Sequence, residues 1–218
     1  MSSPISVDIW SDIACPWCYI GKRRFEDGLA ESGVAEQVVV TYHSFELAPD
    51  TPVDFDGSET DFLAGHKGMA PEQVAQMLAQ VTDIAAGEGL RYDFDALRHT
   101  NTRKAHELLH YAKSQGRQLD LSERLFKAYF TEGRHLGDID ELTALAVEVG
   151  LDEQQVRQAL DSGEFAAAVS ADVDQARAYG IGGVPFFVID GRYGVSGAQS
   201  ATVFAEALNK VATEHADA

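Results

Sequence analysis

The 218-residue chain has two cysteines, and only two residues separate them, within Ser11-Asp12-Ile13-Ala14-Cys15-Pro16-Trp17-Cys18-Tyr19-Ile20-Gly21. Upstream, Ile5-Ser6-Val7-Asp8-Ile9-Trp10 alternates apolar and polar residues, the pattern of a half-buried strand. Downstream, Tyr19, Phe25, Leu29 and Ala30 recur near one face at helical spacing. The pair therefore falls on a strand-to-helix turn. Cys15 is expected at the N-cap and Pro16 at the first helical position, where a missing N–H costs nothing and a fixed φ suits the helix. The free N–H groups and the positive dipole end of such a helix favour a thiolate. Cysteines so placed ionise with pKa values of roughly 3.5 to 7.5 instead of about 8.5.

This placement assigns roles. Cys15, at the exposed end of the helix, would attack a disulfide; Cys18, one turn further in and more shielded, would attack the resulting mixed disulfide and release the product. One alternative is a pair that only packs, but a Cys-Pro-aromatic-Cys segment after a strand, in a chain with no other cysteine, argues against it. Another is a zinc site. That needs two more ligands at matching spacing, and among His43, His66, His99, His106, His110, His135 and His215 only His106 and His110 form a pair. No metal and no cofactor is expected.

Lys and Arg number 17 against 35 Asp and Glu, for a net charge of −18. So acidic a chain repels nucleic acid and anionic membranes, and neither is expected as a partner. Met1-Ser2-Ser3-Pro4 enters the first strand without a basic or long apolar segment, so the reading predicts neither a secretory leader nor a membrane span. A cytoplasmic location follows as the expectation. There a structural disulfide would not persist, whereas a catalytic dithiol works well.

A second strand is expected over Gln37–Leu47, after a helix stop at Gly33. The run from Ala48 to about Asp61, with Pro49, Asp50, Pro52, Asp54, Asp56 and Gly57, reads as a linker loop. No strand pattern follows for more than a hundred residues. Helical faces recur instead, at Val74/Met77/Leu78/Val81, Ala105/Leu108/Leu109/Ala112, Leu121/Leu125/Phe126/Tyr129 and Leu142/Leu145/Ala146/Val149. Pro71 marks a helix start, Asp138 and Asp152 read as N-caps, and Gly87, Gly89, Gly116 and Gly150 read as stops. A helix over about Phe165–Tyr179 leads to a strand run through Val184-Pro185-Phe186-Phe187-Val188-Ile189. Asp190-Gly191-Arg192 then signals a hairpin into Tyr193-Gly194-Val195, and an amphipathic helix runs from Ala201 to about Thr213. The expected class is α/β, ordered β-α-β, helical insertion, α-β-β-α, with residues 1–47 and 163–218 as one domain, 62–162 as the insertion and 48–61 as the linker.

This order resembles the thioredoxin superfamily, and within it the DsbA-like family, specifically the FrnE type of cytoplasmic oxidoreductases. The resemblance spans essentially the whole chain. It rests on Cys15-Pro16-Trp17-Cys18 at the first helix, Gly183-Val184-Pro185-Phe186-Phe187 at the third strand, and the inserted helical block. It implies a thiol–disulfide oxidoreductase or isomerase with a cis Val184–Pro185 bond, which X-Pro sequences permit at about 0.5–1 kcal/mol. It also implies that the Pro185 loop faces the cysteines, and that Pro16, Trp17, Val184 and Pro185 form the substrate surface, the backbone of Val184 pairing with an extended segment. The implied partners are protein or low-molecular-weight thiols and disulfides, together with a redox partner. A homodimer through the insertion is allowed.

Kappa-class glutathione transferases and 2-hydroxychromene-2-carboxylate isomerases are similar in their helical insertion and provide the rival reading. They carry serine where Cys15 stands, and a Ser-Asp pair where this chain has Ala198 and Gln199; both departures argue against that role. Asn101, Thr102 and Ala105 resemble a segment lining their cleft, although Asn101 reads better as an N-cap. A non-catalytic binding or chaperone module is the third reading. Trp17 either lies against substrate or covers the core. Asp8 and Asp12 are candidate proton acceptors for Cys18, but surface charges are the commoner case. Lys22, Arg23 and Arg24 read as the solvent face of the first helix, and His106 and His110 as ordinary surface or packing residues.

Overall fold

The structure is a computed structural model that describes residues 4–217, so the first three residues of the N-terminal segment read above lie outside it. At its centre is a four-stranded sheet in the order β2-β1-β3-β4. Strand β1 (Ile5–Ser11) pairs in parallel with β2 (Val38–Ser44), matching Ile5 to Val38 and Ser11 to Ser44. On its other side β1 runs antiparallel to β3 (Phe186–Ile189), which forms a hairpin with β4 (Tyr193–Ser196). Asp190 and Gly191, at the turn, have φ of 55° and 64°, the left-handed pair that a tight hairpin requires.

Alternation along β1 gives the sheet two different faces. Ile5, Val7 and Ile9 face α1 (Pro16–Ser32) and α9 (Ala201–Ala216), in a core completed by Phe25, Phe187, Phe204 and Leu208. A Cβ on Gly28 would stand 2.4 Å from the Ala201 carbonyl oxygen, so only glycine allows α1 and α9 to approach this closely. Trp10 points to the opposite face, where it packs with Val188, Ala176 and Ile181. There α8 (Ala166–Ala178) covers the sheet, and the Trp10 indole N–H donates to the Asp172 carbonyl at 3.0 Å.

Between β2 and α8 every regular element is a helix: α2 (Glu59–Lys67), α3 (Pro71–Gly87), α4 (Arg103–Ser114), α5 (Gln118–Phe130), α6 (Ile139–Glu148) and α7 (Glu153–Ser162). Pro71 opens α3, and the Asp138 and Asp152 carboxylates accept the Glu141 and Gln155 amides as N-caps, as the sequence predicts. Leu108, Leu121, Phe126, Tyr129 and Phe130 are buried in a helical core that also takes in Cys15, Cys18 and Tyr19. Tyr19 stacks on Phe126 at 5.0 Å between ring centroids, so α1 belongs to the sheet core and the helical core at once.

Three expected boundaries shift. The loop after β2 ends at Ser58, short of Asp61, because Ser58 and Asp61 cap each other's backbone and start α2 at Glu59. Strand β2 stops at Ser44 instead of Leu47, since the Leu47 amide turns to the Asp12 carboxylate at 2.8 Å and leaves the ladder. The N-cap position before α4 falls to Thr102, which makes no side-chain cap bond, while Asn101, one residue earlier, keeps the capping role, its Oδ1 accepting the Arg103 amide at 2.9 Å.

Candidate active site

Strand β1 ends at Ser11, and a short turn, closed by the Cys15 amide on the Asp12 carbonyl at 3.0 Å, carries the chain into α1. Cys15 is the N-cap, with extended φ and ψ of −91° and 111°, and Pro16 is the first helical residue. Both cysteines are free thiols. The Cys15 sulfur makes no capping hydrogen bond to the helix start. Its S–H turns instead to the Val184 carbonyl oxygen at 3.6 Å.

The Val184–Pro185 peptide is cis, as the resemblance implies. Pro185 sits directly on α1, where a Cβ on Gly21 would come 2.9 Å from its Cγ. The Pro16 carbonyl is held by a residue the sequence did not bring forward: the Tyr92 hydroxyl, from the segment between α3 and α4, donates to it at 2.6 Å. Burial and then the charge of Cys15 push the Tyr92 phenol well up, so it stays a donor.

Cys15 is less open than its place in the chain suggests. It is 4% exposed, close to the 2% of Cys18, while Trp17 between them is 38% exposed. Access runs through a cavity of about 300 Å3 that Cys15 lines and Cys18 does not. Its walls are more apolar than polar: Trp17, Leu47, Phe62, Met77 and Val81, with Gly183 and Val184 at the Pro185 loop, are joined by Asp12, Glu59, His66, Lys67 and His99. Thr100 and Thr102 contribute to the lining. Asn101, between them, directs its amide to the carbonyls of Pro49 and Thr51 at 2.9 and 3.0 Å, tying down the loop after β2.

Burial and the neighbouring Cys15 thiol push the Cys18 thiol well above its ordinary range, while the Ser11 hydroxyl and the Asp12 backbone work in the opposite direction. The two sulfurs are thus unequal in access and in environment.

The charged groups nearby differ most from the expectation. Asp12 is not a surface charge but 1% exposed, accepting from the Leu47 and Ala14 amides at 2.8 and 3.3 Å and facing His106 Nε2 at 3.3 Å. Burial alone would raise its carboxyl; the hydrogen bond and charge of His106 and the two amides outweigh it and hold the group below the usual range. Of the two readings for His106 and His110, surface or packing, both take the packed one. His110 Nε2 lies 3.0 Å from Asp172 Oδ2, and the other Asp172 oxygen meets His43 Nδ1 at 2.9 Å, with His43 Nε2 on Asp8 at 2.8 Å. Asp8 is therefore spent on His43. Lys22 is no solvent-face residue: it is 5% exposed and pairs with Glu123 at 2.7 Å. Arg23 also meets Glu123, and Arg24 pairs with Glu88 at 2.6 Å and donates to the Ala198 carbonyl. Among the described residues, no group of three or more His, Cys, Asp and Glu side chains is arranged to hold a metal ion, and no helix is long and apolar enough to cross a membrane.

The sequence matches the DSBA-like thioredoxin domain family over residues 6–209. An uncharacterized protein of Bacillus subtilis, YwbO, is 28% identical over 207 residues, covering 94% of this chain and 96% of its own. The crystal structure of the probable DsbA oxidoreductase SCO1869 from Streptomyces coelicolor superposes with a TM-score of 0.91 at 42% identity, covering 96% of this chain and 91% of that one. The structure of a 2-hydroxychromene-2-carboxylate isomerase gives 0.72 at 18% identity, covering 97% and 98%. That last likeness is one of fold alone.

Proposed function

This chain belongs to the DsbA-like thioredoxin domain family, and from that premise we propose that it is a thiol–disulfide oxidoreductase of the FrnE type, working through the Cys15–Cys18 dithiol. The observation that carries the reading is the inequality of the two sulfurs. Cys15 lies at a helix N-cap, lines a cavity and faces the Val184 carbonyl, whereas Cys18 lies behind it, buried and with its thiol pushed up.

In the reductive direction Cys15 attacks, as its thiolate, one sulfur of a substrate disulfide. A Cys15–substrate bond forms and the other substrate sulfur leaves as a thiolate. Cys18 then gives up its proton and attacks Cys15 Sγ, the enzyme disulfide closes, and the second substrate sulfur departs. Two electrons pass from the dithiol to the substrate, and a dithiol partner returns them. The apolar cavity favours a disulfide flanked by apolar groups, in a protein or a small molecule, with Trp17, Pro16, Val184 and Pro185 as its contact surface. In this reading residues 1–47 and 163–218 supply the chemistry, the helical part walls the cavity, and the setting is the cytoplasm, where reduction or isomerisation is the net result.

The isomerase reading shares the fold, but it rests on a serine at the position of Cys15, and the thiol here favours exchange. A chaperone or binding module would need neither thiol. Turnover of a small disulfide with a dithiol reductant separates the three. Activity that is lost in Cys15→Ser supports exchange; full activity in that variant, or wild-type protein inert toward every disulfide offered, overturns it.

A further inference from the structure

Behind the dithiol, between β1, β2, α4 and α5, lies a second, much smaller cavity of about 10 Å3, lined among others by Ser11, Ser44, His106, His110 and Ser122. That is roughly the space one water molecule needs, provided polar partners surround it. Among the residues that line it, Ser11 Oγ, Ser122 Oγ and His106 Nδ1 are each buried and make no hydrogen bond to another protein group. A buried polar atom is costly unless something pairs with it, and a water seated in this cavity would supply such a partner.

The far side of His106 fixes what its free nitrogen can do. Nε2 faces Asp12 Oδ1 at 3.3 Å, and the Asp12 carboxylate also accepts the amides of Leu47 and Ala14. A carboxylate only accepts, so in the neutral ring Nε2 carries the proton and Nδ1 presents a lone pair that can take a second one. At the other end Ser11 adjoins Cys18, whose ionisation its hydroxyl eases.

We propose that this cavity seats one ordered water which, with the Ser11 hydroxyl, links the Cys18 thiol to His106 Nδ1, and that His106, oriented by Asp12, is the positioning residue that takes up the Cys18 proton during resolution. The inference rests on the exchange reading and deepens it. In the mixed disulfide, the Cys18 proton moves through Ser11 and the water to His106 Nδ1. The Cys18 sulfur bonds to Cys15 Sγ as the Cys15–substrate bond breaks; the bonding pair leaves on the substrate sulfur, which takes a proton from solvent. The imidazolium rests against Asp12 until it returns its proton to solvent, so no proton is consumed overall. Around His106 the other groups facing the cavity are Tyr42, His43 and Ser44 from β2, His110 from its own helix with Asp172 beyond it, and Gln118 and Ser122 from α5.

Stopped-flow reaction of the reduced protein with dithiobis-nitrobenzoate reads the two steps separately, since one coloured thiolate leaves on Cys15 attack and a second on Cys18 resolution. His106→Gln is expected to lower the rate of the second phase relative to the first by about a hundredfold near neutral pH, the usual size of a general-base contribution. The deficit should shrink as rising pH lets solvent deprotonate Cys18. A second phase within twofold of wild type at every pH overturns the relay and leaves the exchange reading intact; absence of both phases in the wild type overturns both. Should the variant fail to fold, histidine nitrogen NMR of the wild-type protein decides. A proton on His106 Nε2 supports the relay, and a proton on Nδ1 overturns it.

Discussion

The Cys15 sulfur lies 3.6 Å from the Val184 carbonyl oxygen, although 169 residues separate the two in sequence. Gly21, less than two turns beyond Cys15 on α1, helps to hold that relationship. A Cβ there would stand 2.9 Å from Pro185 Cγ and 3.4 Å from the Ala198 Cβ. Gly21→Ala must therefore push the Pro185 loop off the helix. Overpacking of this kind costs about 1–3 kcal/mol. Urea unfolding should show that loss, and disulfide exchange should slow with it; a variant unchanged in both would mean that the contact does not set the site.

Asp172 joins three elements, its oxygens meeting His43 and His110 and accepting the Ser44 amide at 2.8 Å. Burial would raise its carboxyl, but the bonds to His110 and His43 and the amide hold it far below the usual range. For His43 burial works downward, and the hydrogen bonds to Asp172 and Asp8 raise it. A raised histidine stabilises the fold fully below its unfolded value near 6.5, and loses that contribution as pH climbs through the folded value. A depressed carboxylate contributes fully above about 4 and loses its share only in stronger acid. Asp172→Asn should cost about 3 kcal/mol. Thermal melts should show the gap to wild type widest between about pH 4 and 6.5 and narrowing in alkali. A gap that does not vary with pH would contradict this assignment.

Glu123 ties α5 to α1, accepting the Tyr19 hydroxyl at 2.7 Å and pairing with Lys22 at 2.7 Å and with Arg23. Lys22 is the buried member of the cluster, so removing Glu123 leaves its ammonium with Glu26 alone. Glu123→Ala is expected to lower stability by about 1–3 kcal/mol, below the full cost of breaking a buried pair because Glu123 is partly solvated. Glu123→Gln, which keeps an acceptor for Tyr19, should lose less. No loss in Glu123→Gln by urea titration would show that the pair with Lys22 contributes nothing, and losses equal in the two variants would show that the Tyr19 bond contributes nothing.

The parts of this site legible in the sequence are those set by local chemistry. Cys15 before Pro16 specifies the N-cap, Asp190-Gly191 the hairpin, and Asp138, Asp152 and Pro71 the helix starts. The parts missed were set by distant partners. Asp12 and Lys22 look like surface charges until α4 brings His106 and α5 brings Glu123 against them, and Asp172 meets its histidines only once α8 lies across the sheet. One signal was present in the chain: Ser11 shares the alternation of Ile5, Val7 and Ile9, which places a hydroxyl on the buried face. Sheet order was beyond reach for the same reason, because β3 pairs with β1 across most of the sequence.

The central claim, that Cys15 is the attacking sulfur and Cys18 the resolving one, is tested most directly by the intact mass of Cys18→Ser after exposure to a small aromatic disulfide, followed by peptide mapping. The account predicts one stable adduct, located on Cys15, with none on Cys18 when Cys15→Ser is treated in the same way. An adduct on Cys18 in Cys15→Ser forming as fast as the one on Cys15, or no adduct in either variant, would contradict it.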